Sequence, residues 1–127
     1  DVCSSALVWQ KAMDLAEMIF SLTAKIPREQ IYGMSAQMQR AAISVPSNIA
    51  EGHARNSTKE YLYYISVSLG SIAELETQLM LCGRVKFLSE GEVTKALGLA
   101  DEVGKCFAAF SVASKKSSPI LSLAPSP

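Results

Sequence analysis

Val8, Ala12, Leu15, Ile19, Leu22 and Ile26 recur at alternating steps of four and three residues. That spacing lines side chains along one stripe of an α-helix and matches no strand period. Gln10, Lys11, Asp14, Glu17, Ser21 and Lys25 fall on the other side, so residues 5–25 are predicted to form an amphipathic helix. A second stripe, Trp9, Met13, Ala16 and Phe20, runs beside the first and makes the apolar face wider than one helical neighbour requires.

The same period returns three more times between breakers at Pro27, at residues 53–56 and at residues 86–89. A second helix is predicted to start at residues 27–30, with Ile31, Met34, Met38, Ala41 and Val45 as its core stripe. Pro46 falls inside that pattern, where it deletes a backbone hydrogen bond and presses on the Ala42 carbonyl, which predicts a kink. The third helix is capped by Asn56 or Ser57 and runs to about Val85, its core stripe being Tyr61, Ile65, Ser68, Ile72, Leu75, Leu79 and Cys82. The fourth follows Ser89 and carries Val93, Ala96, Leu97, Ala100, Val103, Phe107 and Phe110, with Gly98 and Gly104 each weakening it by about 1 kcal/mol. From Ser117 onward three prolines end any helix. The expectation is an all-α fold: one antiparallel up-down-up-down four-helix bundle over residues 1–116, its second helix kinked at Pro46, then a tail over 117–127.

Composition decides what such a bundle does with its surface. Hydrophobic residues make up 49% of the 127 and charged residues only 19%, with 12 basic and 12 acidic side chains cancelling. No single-sign field is available to gather polyanions from a distance. Apolar surface is in surplus, and it is expected to lie against another copy. The candidate interface residues are Trp9, Met13 and Phe20 on the first helix and the small-residue run Ser66, Gly70 and Ala73 on the third. The longest charge-free stretch inside the helical region, residues 61–73, is too short for the roughly 20 residues of a spanning helix, so no membrane partner is expected. Three cysteines are too few for a disulfide scaffold, and a cytoplasmic location is the expectation.

Chemistry has few carriers. His53 is the single histidine, Cys3, Cys82 and Cys106 show no metal-ligand spacing, and no nucleophile elbow or phosphate-binding glycine loop occurs. No catalytic residue, metal or cofactor is expected. The polar residues that intrude on apolar faces, Arg40, Asn48, Glu51 and Glu74, are read as a structural network across a hairpin of the second and third helices. Arg40 is expected to be held by Glu74 or Asp14, and Asn48 to face Tyr63 and Tyr64. The alternative is that Arg40, Arg55 and Lys59 contact nucleic acid.

Two longer motifs carry a family resemblance: Ser44-Val45-Pro46-Ser47-Asn48-Ile49-Ala50-Glu51-Gly52, and Gly70-Ser71-Ile72-Ala73-Glu74-Leu75-Glu76-Thr77-Gln78-Leu79. With Val8-Trp9-Gln10-Lys11-Ala12 and residues 37–42, they make residues 7–92 similar to the bacterial four-helix-bundle family named for reading frames in 23S rRNA intervening sequences. The resemblance implies a short up-down bundle that assembles as a homopentamer with no assigned catalysis. A distant similar group serves as an accessory factor of diversity-generating retroelements, which implies RNA or a nucleic-acid-processing protein as a partner. Two functions compete on this reading: an oligomer that presents a surface to RNA or a ribonucleoprotein, and a structural or protein-binding oligomer with no nucleic-acid role.

Overall fold

The computed structural model describes residues 4–108, and among these there are four α-helices and no strand. Helix α1 spans Ser5–Thr23, α2 Ala36–His53, α3 Thr58–Arg84 and α4 Glu90–Ala108. Three of the starts are fixed by serine caps. Ser4 Oγ accepts from the Leu7 N–H at 3.1 Å, and Ser57 Oγ accepts from the Glu60 N–H at 3.1 Å. At α4 the cap is reciprocal: Ser89 Oγ accepts from the Glu92 N–H, and the Ser89 N–H donates to Glu92 Oε1 at 2.9 Å. Lys25 also donates to Glu92, and together these bonds hold the Glu92 carboxyl at about 2 rather than 4.5. A carboxyl lowered on folding stabilises fully above pH 4.5, and this contribution fades as the pH falls toward 2.

Each helix turns its predicted stripe inward. Val8, Ala12, Leu15 and Ile19 of α1, Met38, Ala42 and Val45 of α2, Ile72, Leu75, Leu79 and Cys82 of α3, and Ala96, Ala100, Val103 and Phe107 of α4 are fully buried in one core. Cys82 is a free thiol whose Sγ sits 3.7 Å from Met38 Sδ, and its desolvation pushes its pKa up. Cys106 is disulfide-bonded, so the cysteine count does not by itself argue for a reducing compartment.

Sequential helices pack on one another, and α4 returns to α1. Side-chain contacts give their directions. Ser71 with Ser44 and Tyr64 with Gly52 make α2 and α3 antiparallel. Lys11 with Glu102 and Lys25 with Glu92 do the same for α1 and α4.

The start of the second helix departs from expectation. A 3₁₀ turn over Arg28–Gln30 leads into a π turn over Ile31–Ser35, and regular α-helix begins only at Ala36. Gly33 lies at φ −110°, ψ −108°, outside helical torsions, which its missing Cβ permits. The chain therefore leaves helical geometry at Gly33, while α2 continues as one helix through the buried Pro46. Ile31, expected in the core, is 45% exposed because the π turn rotates it off the stripe, and Tyr32 beside it is 95% exposed. In α3 the core stripe holds, and it is joined by two polar residues that periodicity assigns elsewhere, the fully buried Glu76 and the nearly buried Gln78. Phe110, the expected end of the fourth helix and the 117–127 tail lie outside the described residues.

Candidate functional site

The polar seam between α2 and α3 is built from short side chains. Asn48 Nδ2 donates to the Ser44 carbonyl at 2.8 Å and to Ser44 Oγ at 2.9 Å, one turn back on its own helix. Ser71 Oγ then donates to Ser44 Oγ at 2.7 Å, and Ser68 Oγ donates to the Val45 carbonyl at 2.9 Å. This neutral chain ties the two helices in register. Asn48 does not reach Tyr63 or Tyr64 as expected, because Ser44 four residues earlier is within its reach and saturates its donor group. The seam closes at Gly52, where a Cβ would stand 2.9 Å from Tyr64 Cβ and 3.3 Å from the Tyr61 carbonyl. Only glycine lets the last turn of α2 lie this close to α3.

Past Gly52 the seam ends in charge. Arg55 donates to the Glu51 carboxylate and, at 3.0 Å, to Tyr64 Oη, with its guanidinium 5.1 Å from the Tyr64 ring centroid. Tyr64, then the Glu51 bond, raise the Arg55 pKa further above its ordinary value. Tyr63 meets Tyr64 edge-on at 5.1 Å. Glu51 is therefore spent on Arg55 and takes no part in a network with Arg40.

Arg40 corrects the sequence reading. It is exposed and has no ion pair among the described residues; Glu74 instead accepts a long 3.4 Å bond from Gln78 Nε2, and Asp14 is exposed on α1. An arginine at the water-facing edge of α2 keeps its hydration, so nothing obliges a carboxylate to approach. Arg40→Met and Glu74→Ala should accordingly each change stability by no more than about 0.5 kcal/mol. Urea unfolding checks this: a loss of several kcal/mol in Glu74→Ala alone would restore the buried pair. The three residues set aside for nucleic acid are not gathered into one patch. Arg55 and Lys59 flank the turn after α2, while Arg40 lies about 22 Å away along the helix.

Two apolar faces remain open to water. On α1, Trp9, Met13 and Phe20 are 39%, 45% and 43% exposed. They sit on the side of α1 that borders α2, where Trp9 shares a cleft of about 360 Å³ with Ile49, Ala50 and His53. The antiparallel register that sets Gln39 Nε2 on Thr23 Oγ1 at 2.9 Å places Phe20 level with Ile43, which is 47% exposed. Ile43 was not legible as part of this face, since it lies off the α2 stripe and only the register brings it beside α1.

The second face is the outer side of α3. Leu62, Tyr63, Ser66, Gly70 and Leu81 are exposed there, Ala73 is half-buried, and Glu74 is the only exposed charge between Glu60 and Arg84. Ser66 Oγ donates to the Tyr63 carbonyl at 2.6 Å and Thr77 Oγ1 to the Ala73 carbonyl at 2.9 Å, so both hydroxyls are satisfied by their own helix. A Cβ added to Gly70 meets nothing within 4 Å. His53 is exposed at the end of α2 without a hydrogen-bond or ion-pair partner among the described residues. None of the described residues group as three or more metal ligands, and no described helix is long and apolar enough to cross a membrane.

The bundle has a solved counterpart. A crystal structure of a protein of unknown function from the S23 ribosomal protein family of Bacteroides thetaiotaomicron superposes with a TM-score of 0.78 at 22% identity. The match covers 84% of this chain and 96% of that one, and at such identity it establishes the shared fold. A search of curated proteins found no match. The family model for 23S rRNA-intervening sequence proteins matches residues 4–109, the whole of the four-helix bundle described above. The chain belongs to the 23S rRNA-intervening sequence protein family.

Proposed function

We propose that this protein is a non-catalytic scaffold that assembles into a homopentamer, the α1 shoulder of one copy meeting the α3 outer face of the next. The observation behind the reading is the pair of unlike apolar faces, Trp9, Met13 and Phe20 on one side and Leu62, Ser66, Gly70 and Ala73 on another. A ring with an odd number of copies needs a head-to-tail contact between two different surfaces, and these faces supply them. Five is the number that the family resemblance implies; the surplus of apolar surface supports association of any closed order. The non-catalytic part rests on His53, which is exposed and paired with neither a carboxylate nor a nucleophile among the described residues. Light scattering on dilute protein tests the reading. A mass of about five times 13.7 kDa is expected, and a mass near 13.7 kDa overturns it.

A second reading, an accessory role toward RNA or a ribonucleoprotein, is favoured by one observation: Arg40 is exposed with no acidic partner among the described residues. A fluorescence titration with structured RNA at two salt concentrations separates it from the first. Phosphate contacts weaken steeply with salt, so binding that falls sharply supports the RNA role, and no binding at low salt removes it.

A further inference from the structure

We propose that Arg40 of one copy pairs with Glu74 of the next, and that this ion pair sets the register of the assembly. The inference rests on the head-to-tail contact proposed above, to which it adds the one charged contact that the two faces require. Glu74 is the only exposed charge on α3 between Glu60 and Arg84, and the one hydrogen bond it makes among the described residues is the long 3.4 Å bond from Gln78. Once the outer face of α3 is covered, this carboxylate loses its water, and burying it without a cation opposes association. Its own chain supplies no cation among the described residues. Arg40 has the complementary need: it is exposed and without an ion pair among the described residues. With Ile43 and Ser47 it forms the outward side of α2, so it borders the α1 shoulder at Ile43.

Height along the bundle decides which residues can meet. Copies in a cyclic ring are related by rotation alone, so bundles standing parallel to the ring axis touch at equal heights. The two faces satisfy that condition. Ser44 bonds to Ser71, Arg40 lies one helical turn back from Ser44, and Glu74 lies one turn on from Ser71. Because α2 and α3 are antiparallel, both steps go the same way, and the heights of Arg40 and Glu74 agree to about 2 Å. The same register gives Phe20, level with Ile43, the height of residues 70–73, where Gly70 leaves open space. Since α1 and α3 run in the same direction, Met13 is then level with Ser66, and Trp9 with Leu62. Arg28, Lys59, Arg84 and Lys86 also lack an ion pair among the described residues, but they stand at or beyond helix ends. Lys95 is on α4, outside both faces.

A charge exchange in the full chain tests the pair. Arg40→Glu sets two carboxylates against each other across every contact, and Glu74→Arg sets two guanidinium groups. Each should raise the concentration at which light scattering finds half the chains dissociated by about tenfold or more. The double variant Arg40→Glu/Glu74→Arg reverses the pair, and should bring that concentration back to within about threefold of the native value. At dilutions where every chain is single, all three urea midpoints should match the native one, because both positions are exposed in a separate chain. Single variants that associate like the native protein overturn the pair and leave the head-to-tail assembly standing. A double variant that stays as dissociated as the single ones also overturns it, since each residue then has a different partner. A native chain that is single at every concentration overturns the assembly itself, and the pair with it.

Discussion

Phe20→Asp and Gly70→Glu are each expected to reduce the scattering mass to that of a single 13.7 kDa chain while leaving the fold intact. The argument rests on how little the separate bundle needs either position. Phe20 is 43% exposed and outside the buried core, so an aspartate there remains hydrated in the single chain. Gly70 is exposed with open space where its Cβ would stand, and replacing a mid-helix glycine gains close to 1 kcal/mol of helix propensity. In an assembly the same carboxylates would be pressed against apolar side chains without a partner, at a cost of several kcal/mol per contact. The two variants sit on different faces, so a head-to-tail ring is broken by either one, and mixing them leaves only one intact pair of faces to form dimers. Ser21→Asp, on the polar side of α1, is the control and should assemble normally. If both face variants keep the mass of the native protein, the faces are assigned wrongly even though the protein associates.

Phe107→Ala should have the largest effect on stability, a loss of about 3–5 kcal/mol. Phe107 heads the fully buried side chains by size and anchors the last described turn of α4 to the core. The rest of that helix holds less firmly. Gly98 is exposed on it, and its ion pairs, Lys11–Glu102 to α1 and Lys25–Glu92 to the residues just after α1, are solvated and hold it only weakly. Since domains of this size have about 5–15 kcal/mol in total, the urea midpoint of Phe107→Ala should fall by a third or more, whereas Lys11→Met should move it little. Both are measured at one protein concentration, because association adds apparent stability by mass action. A Phe107→Ala midpoint within error of the native one would show that α4 is held by something other than its core stripe.

The sequence alone determined the elements and the inward face of each. Val8 to Leu22, Met38 to Val45, Ile65 to Cys82 and Val93 to Phe107 follow one period, and a period reports which side of a helix is apolar whatever lies against it. The surplus stripe of Trp9, Met13 and Phe20 was legible for the same reason, as was the family, through the motifs around Asn48 and Glu74. Destinations of polar side chains were not. Whether Arg40 meets a carboxylate or water, and whether Asn48 crosses to α3 or turns back to Ser44, depends on inter-helix register to within an ångström or two, and periodicity carries no information on register. The tertiary structure alone decided three further things: the departure at Gly33 that swings Ile31 outward, the burial of Glu76 and Gln78, and the meeting of α1 with α2 that forms the cleft at Trp9. A hydrophobic pattern specifies what each helix must hide, and only the packing of four helices against one another settles which neighbour hides it and what is left uncovered.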